Sequence, residues 1–431
     1  MTDDLMKSSG SGDAGNSTHA DEQRLYPKVR FRGFDEPWKK VKLGEISEKI
    51  TQKNNNSCSQ FPVLTNSAEY GIVYQKDFFD KNIAINTDNY YVVHTEDFVY
   101  NPRISKQAPY GPIRVNHLKT GVMSPLYYIF KIKDDFNIGF FEFLFIGNKW
   151  HKFMYQNGDS GARSDRYAIK DKVFNKLPIY IPQKIEEQKL IFEINHKINS
   201  LLYLQQRKLE LEKQLKFFLF QNAIPSKEAV IFKPKIRFRE FQDKWKYAKL
   251  SEIYNTDCSG GTPSVKNKTF YGGNIPFLTI SDLNNKKIYK TQKTLSKKGL
   301  ENSSAKLVPA GSISLAMYAS VGKIGILSKE MATSQAFFNM TFDDDEKRDF
   351  IYIILEKANF DKEWIRLIST GTQNNLNAKK IRNFHIVFPT YKALKGLNKL
   401  FCNIDTDIDI QYKVIVTTNQ LKQFLLQNLF I

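Results

Sequence analysis

The stretch Pro27-Lys-Val-Arg-Phe-Arg-Gly-Phe-Asp-Glu-Pro-Trp-Lys-Lys-Val-Lys-Leu-Gly-Glu-Ile46 returns 207 residues later as Pro234-Lys-Ile-Arg-Phe-Arg-Glu-Phe-Gln-Asp-Lys-Trp-Lys-Tyr-Ala-Lys-Leu-Ser-Glu-Ile253, with 12 of 20 positions identical. Chance does not give such a match in two windows of this length. Leu177 to Pro182 lies over Phe384 to Pro389 at the same offset, and Phe61-Pro-Val-Leu-Thr65 resembles Ile275-Pro-Phe-Leu-Thr279. A repeat this long means a duplicated domain, not the short turn of a solenoid.

Each copy has one internal order. Short alternating runs such as Asn89-Tyr-Tyr-Val-Val93 and Leu126-Tyr-Tyr-Ile-Phe130, bounded by Gly, Pro and Asn, read as strands. A helix follows, from about Gly139 to Gln156 in the first copy and Glu346 to Ser369 in the second, where Ile351, Ile354, Leu355 and Ala358 form a core-facing stripe. A polar loop and a last strand lead to Pro182 and Pro389, after which a long helix begins. Positions spaced alternately by four and three in residues 184–224 include Leu190, Ile194, Leu201, Leu204, Leu211 and Leu215; in residues 394–431 they include Leu397, Ile404, Ile408, Ile415 and Leu425. That 3.5-residue period predicts coiled-coil packing of one helix on the other. The fold class is therefore α+β: two duplicated α/β domains with two long helices. The expected boundaries are a disordered tail over 1–25, domains over 26–182 and 227–389, and helical spacers over 183–226 and 390–431.

Of 431 residues, 41% are apolar, enough for large cores, and 64 Lys+Arg against 45 Asp+Glu leave a net charge of +19. Such a surface attracts polyanions, either nucleic acid or an acidic membrane face. Cys58, Cys258 and Cys402 lie too far apart in sequence for a disulfide framework or zinc spacing, which suits a reducing compartment. Without a membrane-length apolar run or a signal-peptide pattern, a soluble, cytoplasmic protein is expected.

The chain offers little chemistry of its own. None of the six histidines has ligand spacing to a cysteine or another histidine. Asn101-Pro-Arg-Ile104 is similar to the Asn-Pro-Pro-aromatic loop of amino-methyltransferases but lacks its second proline and its aromatic. Gly260-Gly-Thr-Pro-Ser264 lacks the Gly-Lys-Ser/Thr ending of a phosphate loop and reads as a turn. Glu187-Gln-Lys189 has a nuclease-like spacing but sits on a helix whose alternating charges predict a solvated face. A binder is expected, with no metal and no cofactor in this chain.

The loops before each last strand differ in sequence while their flanks agree. Gly158 to Lys170 carries Arg163, Arg166, Tyr167 and Lys170; Gly371 to Lys380 carries Gln373, Asn374, Asn375, Asn377 and Lys379. Arg grips guanine and Asn or Gln grips adenine through paired hydrogen bonds, while Lys holds phosphate. Arg103, Lys106, Lys266, Lys268, Tyr318 and Lys323 are further candidates for DNA contact.

From Tyr26 to Ile431 the chain resembles the specificity subunits of type I restriction-modification systems. The resemblance rests on the paired Arg-Phe-x-x-Phe-x-x-x-Trp motifs (Arg30 to Trp38, Arg237 to Trp245), on Ser259 to Ser264 followed by Gly273 to Phe277, and on Pro309-Ala-Gly311 with Ala319 to Lys323. Glu186 to Lys189 and the close at Leu425 to Phe430 complete it; in the second copy Ala393-Leu-Lys395 stands where Glu-Gln-Lys is usual. The resemblance implies two target recognition domains, each reading half of a split double-stranded DNA target, with two antiparallel helices fixing the gap in a pseudo-two-fold arrangement. It implies partners too: two modification subunits that methylate adenine with S-adenosylmethionine, and two restriction subunits that use ATP and magnesium. This chain would then be non-catalytic and prokaryotic. A stand-alone endonuclease or methyltransferase, and a non-specific two-domain nucleic-acid scaffold, are the alternatives.

Overall fold

The computed structural model describes residues 25–55, 61–81, 86–159, 165–229, 231–241, 244–368 and 376–431, and the backbone of Met6–Ser8. By contact density the chain divides into Met1–Gln206 with Lys413–Ile431, and Arg207–Tyr412. Each unit thus owns part of both long helices.

The duplication extends to strand register. In the first unit Lys39–Lys42 pairs antiparallel with Pro178–Ile181, Lys42 opposite Pro178. In the second, Lys246–Lys249 pairs with His385–Phe388, Lys249 opposite His385. The central sheet of the first unit runs Ser47–Lys49, Tyr128–Ile132, Phe98–Tyr100, Ile113–Val115, all antiparallel. Its counterpart runs Asp257–Cys258, Phe337–Met340, Ile313–Ala316, Ile324–Leu327, with Lys287–Ile288 added in parallel at the edge. A second sheet in this unit orders Lys293–Leu295, Tyr271–Leu278, Met331–Thr333 and Lys306–Val308.

The tryptophan of each leading motif is a core anchor. Trp38 meets Phe140 edge-on at 5.8 Å and 67°; Trp245 meets Phe350 at 5.9 Å and 65°. Phe140 and Phe350 lie on the domain helices, which are shorter than the periodicity predicts. The first is split into Ile138–Ile146 and His151–Asn157, because Gly147 leaves the helix and its N–H closes on the Phe143 carbonyl. The second runs Asp345–Phe360, capped by Asp344, and resumes over Glu363–Leu367 after Lys362 adopts φ 55°. Ile351, Ile354, Leu355 and Ala358 are buried in the core.

Ile185–Asn222 and Tyr391–Asn428 form the long helices, 38 residues each. Within the first unit Ile191, Ile198 and Leu202 share a core with Leu425, Leu426, Leu429 and Phe430. Within the second, Leu219 and Phe220 share one with Leu394, Leu397, Phe401 and Ile404. In both units the start of one helix meets the end of the other, so the two run antiparallel. On the second helix Leu397, Ile404 and Leu425 are buried, and Ile408 and Ile415 pack at the core margin.

The first helix requires a correction. Its inward positions are Gln188, Ile191, Asn195, Ile198, Leu202, Gln205, Leu209, Glu212, Lys216 and Leu219, one residue beyond the expected ladder. Leu190, Leu201, Leu204, Leu211 and Leu215 are exposed, and only Ile194 touches the core. Two of the polar groups in the seam have close partners. Asn195 donates to the Ile191 carbonyl, and Lys216 Nζ lies 2.6 Å from both Glu356 and Asp405.

Nor is Glu187 on a solvated face. It is 1% exposed and accepts two 2.8 Å hydrogen bonds from Arg30 and a third, at 3.3 Å, from Trp38 Nε1. Gln188 beside it accepts from the N–H of Asn137, the cap of the domain helix, and donates to the Pro182 carbonyl. The repeated leading motif therefore locks the long helix to its domain. In the second copy Leu394 takes the place of Glu187, wholly buried in the same core as Trp245. The Ala393-Leu-Lys395 departure thus swaps an ion pair for an apolar contact. At the other end of the chain, Met6–Ser8 pairs with Val29–Phe31, so the expected tail is not unstructured throughout.

Asp97, almost fully buried, accepts the His94 N–H at 2.6 Å, and burial pushes its carboxyl up to about 6. The folded state therefore holds a proton that the unfolded chain, near 3.8, releases. Stability should fall as pH rises from about 4 through 6, by about 3 kcal/mol at 1.36 kcal/mol per pH unit. Asp97→Asn retains the acceptor and should flatten that part of the profile. Urea unfolding of both proteins between pH 4.5 and 7 checks this, and parallel curves would refute it.

Candidate nucleic-acid interface

In both units the segment preceding the last strand is fastened to the loop that follows a central strand. In the first, Tyr167 N–H donates to the Pro102 carbonyl at 2.8 Å, Ile104 N–H to Asp165 at 3.0 Å, and Arg103 and Arg166 form a bridge. In the second, Leu376 N–H donates to the Met317 carbonyl at 3.0 Å. Residues 101–111 and 165–170 thus form one surface, and residues 317–323 and 376–380 form its counterpart.

Arg103, Lys106 and Lys170 are exposed on the first surface. Arg166 is half-buried; its Nε is buried without a hydrogen-bond partner and lies 3.9 Å from Asp165, a loose contact. Tyr167 is not available: its ring packs edge-on against Tyr110 at 5.1 Å and its hydroxyl donates to the Met154 carbonyl at 2.7 Å. It is a core residue that positions Arg166. Asn101 is buried too, donating to the Asn66 carbonyl and accepting from Arg103 N–H, so the partial methyltransferase-like motif shapes the loop.

On the second surface Lys323 and Lys379 are exposed, Tyr318 is half-buried against the core, and Asn377 caps the helix Ala378–Arg382 by accepting from Lys380 N–H. Arg163, Gln373, Asn374 and Asn375 lie outside the described residues. Lys266 and Lys268 are exposed on a separate part of the second unit. The glycines beside them are structural. A Cβ on Gly260 would stand 1.8 Å from the Thr333 carbonyl, and Gly261 N–H donates to that carbonyl at 3.2 Å.

A cavity opens beside the helix Asp171–Phe174 in the first unit and beside Ala378–Arg382 in the second. In the first unit it is about 800 Å³, walled by Tyr91, Tyr127 and Tyr128 with Lys49 and Lys170. In the second it is about 580 Å³, walled by Lys227, Arg366, Lys379, Lys380 and His385. Its acid, Glu363, is held by Lys227 at 2.5 Å. Lys227 escaped the sequence reading because it is remote from the loop in sequence, and Arg366 because it lies on the helix Glu363–Leu367 just before it. Among the described residues no His, Cys, Asp and Glu group could hold a metal ion, and no helix is long and apolar enough to cross a membrane.

The family model of the type I restriction modification DNA specificity domain matches residues 35–214 and 242–411, and the chain belongs to that family. Among curated relatives it is 35% identical over 163 residues to the type I restriction enzyme HindI specificity subunit of Haemophilus influenzae, covering 37% of this chain and 35% of that protein. It is 26% identical over 191 residues to the MjaIX specificity subunit of Methanocaldococcus jannaschii, covering 43% and 44%. The chain therefore matches less than half the length of either relative. Its fold is similar to the S subunit of a type I restriction-modification system from M. genitalium, with TM-score 0.57 and 14% identity over 93% of this chain and 97% of that one. A second structure, from work on assembly and conformational transition of the type I R-M system, gives TM-score 0.56 and 14% identity over 91% and 97%.

Proposed function

We propose that this chain selects the DNA target of a type I restriction-modification complex, each unit reading one half of a bipartite double-stranded sequence. What carries the proposal is the pairing of the same two loops by a backbone hydrogen bond in both copies, with different side chains presented on each. One scaffold then holds two readers. Binding energy, about 1–3 kcal/mol for each good bidentate base contact, decides which duplex the partners act on. Two modification subunits, with S-adenosylmethionine, would methylate adenine in each half. Two restriction subunits would hydrolyse ATP with magnesium and cut. The exposed Leu201, Leu204, Leu211 and Leu215 along the first helix support docking of protein partners.

Methylation mapping of the host genome with and without this gene is the direct test. A split, adenine-methylated motif should vanish with the gene, and an unchanged methylome would refute the proposal. Arg166→Ala should relax discrimination at one base position of one half-site by about 1–3 kcal/mol. Equal weakening on every duplex would make it a phosphate contact instead.

A further inference from the structure

The two copies differ sharply in charge between equivalent strands. Residues 50–97, between Ser47–Lys49 and Phe98–Tyr100, contain three lysines and six acids. Residues 259–312, between Asp257–Cys258 and Ile313–Ala316, contain nine lysines and two acids. Of the nine, Lys286 is half-buried on Asp405 and the other eight are exposed. Among the described residues only Lys297 of these eight meets an acid, Glu301 at 3.8 Å. The other acid, Asp282, is occupied by Thr279 and the Gln292 N–H.

Chain geometry gathers several of these cations. Ser296 N–H and Oγ donate to the carbonyls of Phe270 and Thr269 at 3.0 and 2.7 Å. Gly299 comes so near Phe270 that a Cβ would stand 2.1 Å from its carbonyl oxygen. Lys268, in the turn Lys268–Phe270, and Lys298, in the helix Lys297–Glu301, are thereby held at one corner. Lys266 precedes that turn, and Lys293 lies on the strand leading into that helix. Like charges held together repel one another, and a polyanion relieves the repulsion by neutralising them and releasing its own counterions.

We infer that this lysine corner of the second unit grips the DNA phosphate backbone outside the bases being read, so that the two units contribute unequally. The second anchors the duplex without regard to sequence, whereas the matching segment of the first repels it. The inference rests on the DNA-recognition reading above.

The test is the salt dependence of binding of the full-length chain to a random-sequence duplex. Replacing Lys266, Lys268, Lys293 and Lys298 by Gln should flatten the slope of log K against log salt by roughly 3 to 4, at about 0.9 per phosphate contact. Replacing Lys53, Lys76 and Lys81 by Gln should leave the slope unchanged. These side chains are exposed, so an unchanged unfolding midpoint is expected and controls for misfolding. Binding with an unaltered slope in the Lys266 set sinks this inference alone. A wild-type chain that binds no duplex sinks the recognition reading with it. Preference for anionic phospholipid vesicles over duplex at matched salt, lost in the Lys266 set, would replace DNA as the partner of this corner.

Discussion

Glu187→Leu should destabilise the first unit by about 3–5 kcal/mol, because it leaves the Arg30 guanidinium buried without its carboxylate. Arg30 is itself buried and gives both its Nε and one Nη to Glu187, so no water-exposed alternative replaces the pair. The second copy shows what repairs the loss: Leu394 occupies the equivalent place, and Arg237, the counterpart of Arg30, is only half-buried. Arg30→Met combined with Glu187→Leu should therefore recover most of the stability lost in the single variant. Denaturant titration of wild type, both single variants and the double gives the coupling energy. Purely additive losses would show that the clamp contributes nothing beyond its separate residues.

Gly111→Ala should abolish discrimination by the first unit while the second still reads its half-site. Gly111 has φ +80°, which an L-residue adopts at a cost of about 1–2 kcal/mol. A Cβ there would also stand 1.9 Å from the carbonyl oxygen of Asn101, a backbone atom that cannot move without carrying Arg103 with it. Gly33→Ala separates the two causes: its φ is +89°, but nothing lies within 4 Å of the new Cβ. That variant should lose only the conformational term and bind DNA normally. Binding assays on duplexes mutated in one half at a time would distinguish these outcomes. Retained discrimination in Gly111→Ala would mean that residues 101–111 do not shape the reader.

The duplication and the two long helices were legible because they rest on sequence identities and on apolar periodicity; the strand register and the burial of the two Trp anchors were not, because neither is carried by a local pattern. The second long helix was read in register because its inward face is largely apolar. The first was read one residue early: its most apolar stripe faces outward, while Asn195, Glu212 and Lys216 occupy the seam. Hydrophobic counting cannot see that a buried polar group is satisfied by a residue remote in sequence, as Lys216 is by Glu356 and Asp405. Glu187 was misread for the same reason, its partner lying 157 positions away. Tyr167 misled differently: it was named with Arg166 as a candidate for DNA contact, yet its contacts are Tyr110 and Met154.

The unequal make-up of the two cores sets an order of assembly. Residues 207–412 complete the second unit from one continuous stretch, whereas the first needs Lys413–Ile431 as well as Met1–Gln206. Leu425, Leu426, Leu429 and Phe430 are buried in that first core, beside Trp38 and Phe140. On the ribosome the domain synthesised first is therefore the one finished last, its apolar face uncovered until the second unit has been made. A premature stop near residue 412 would spare the second reader and leave the first without part of its core.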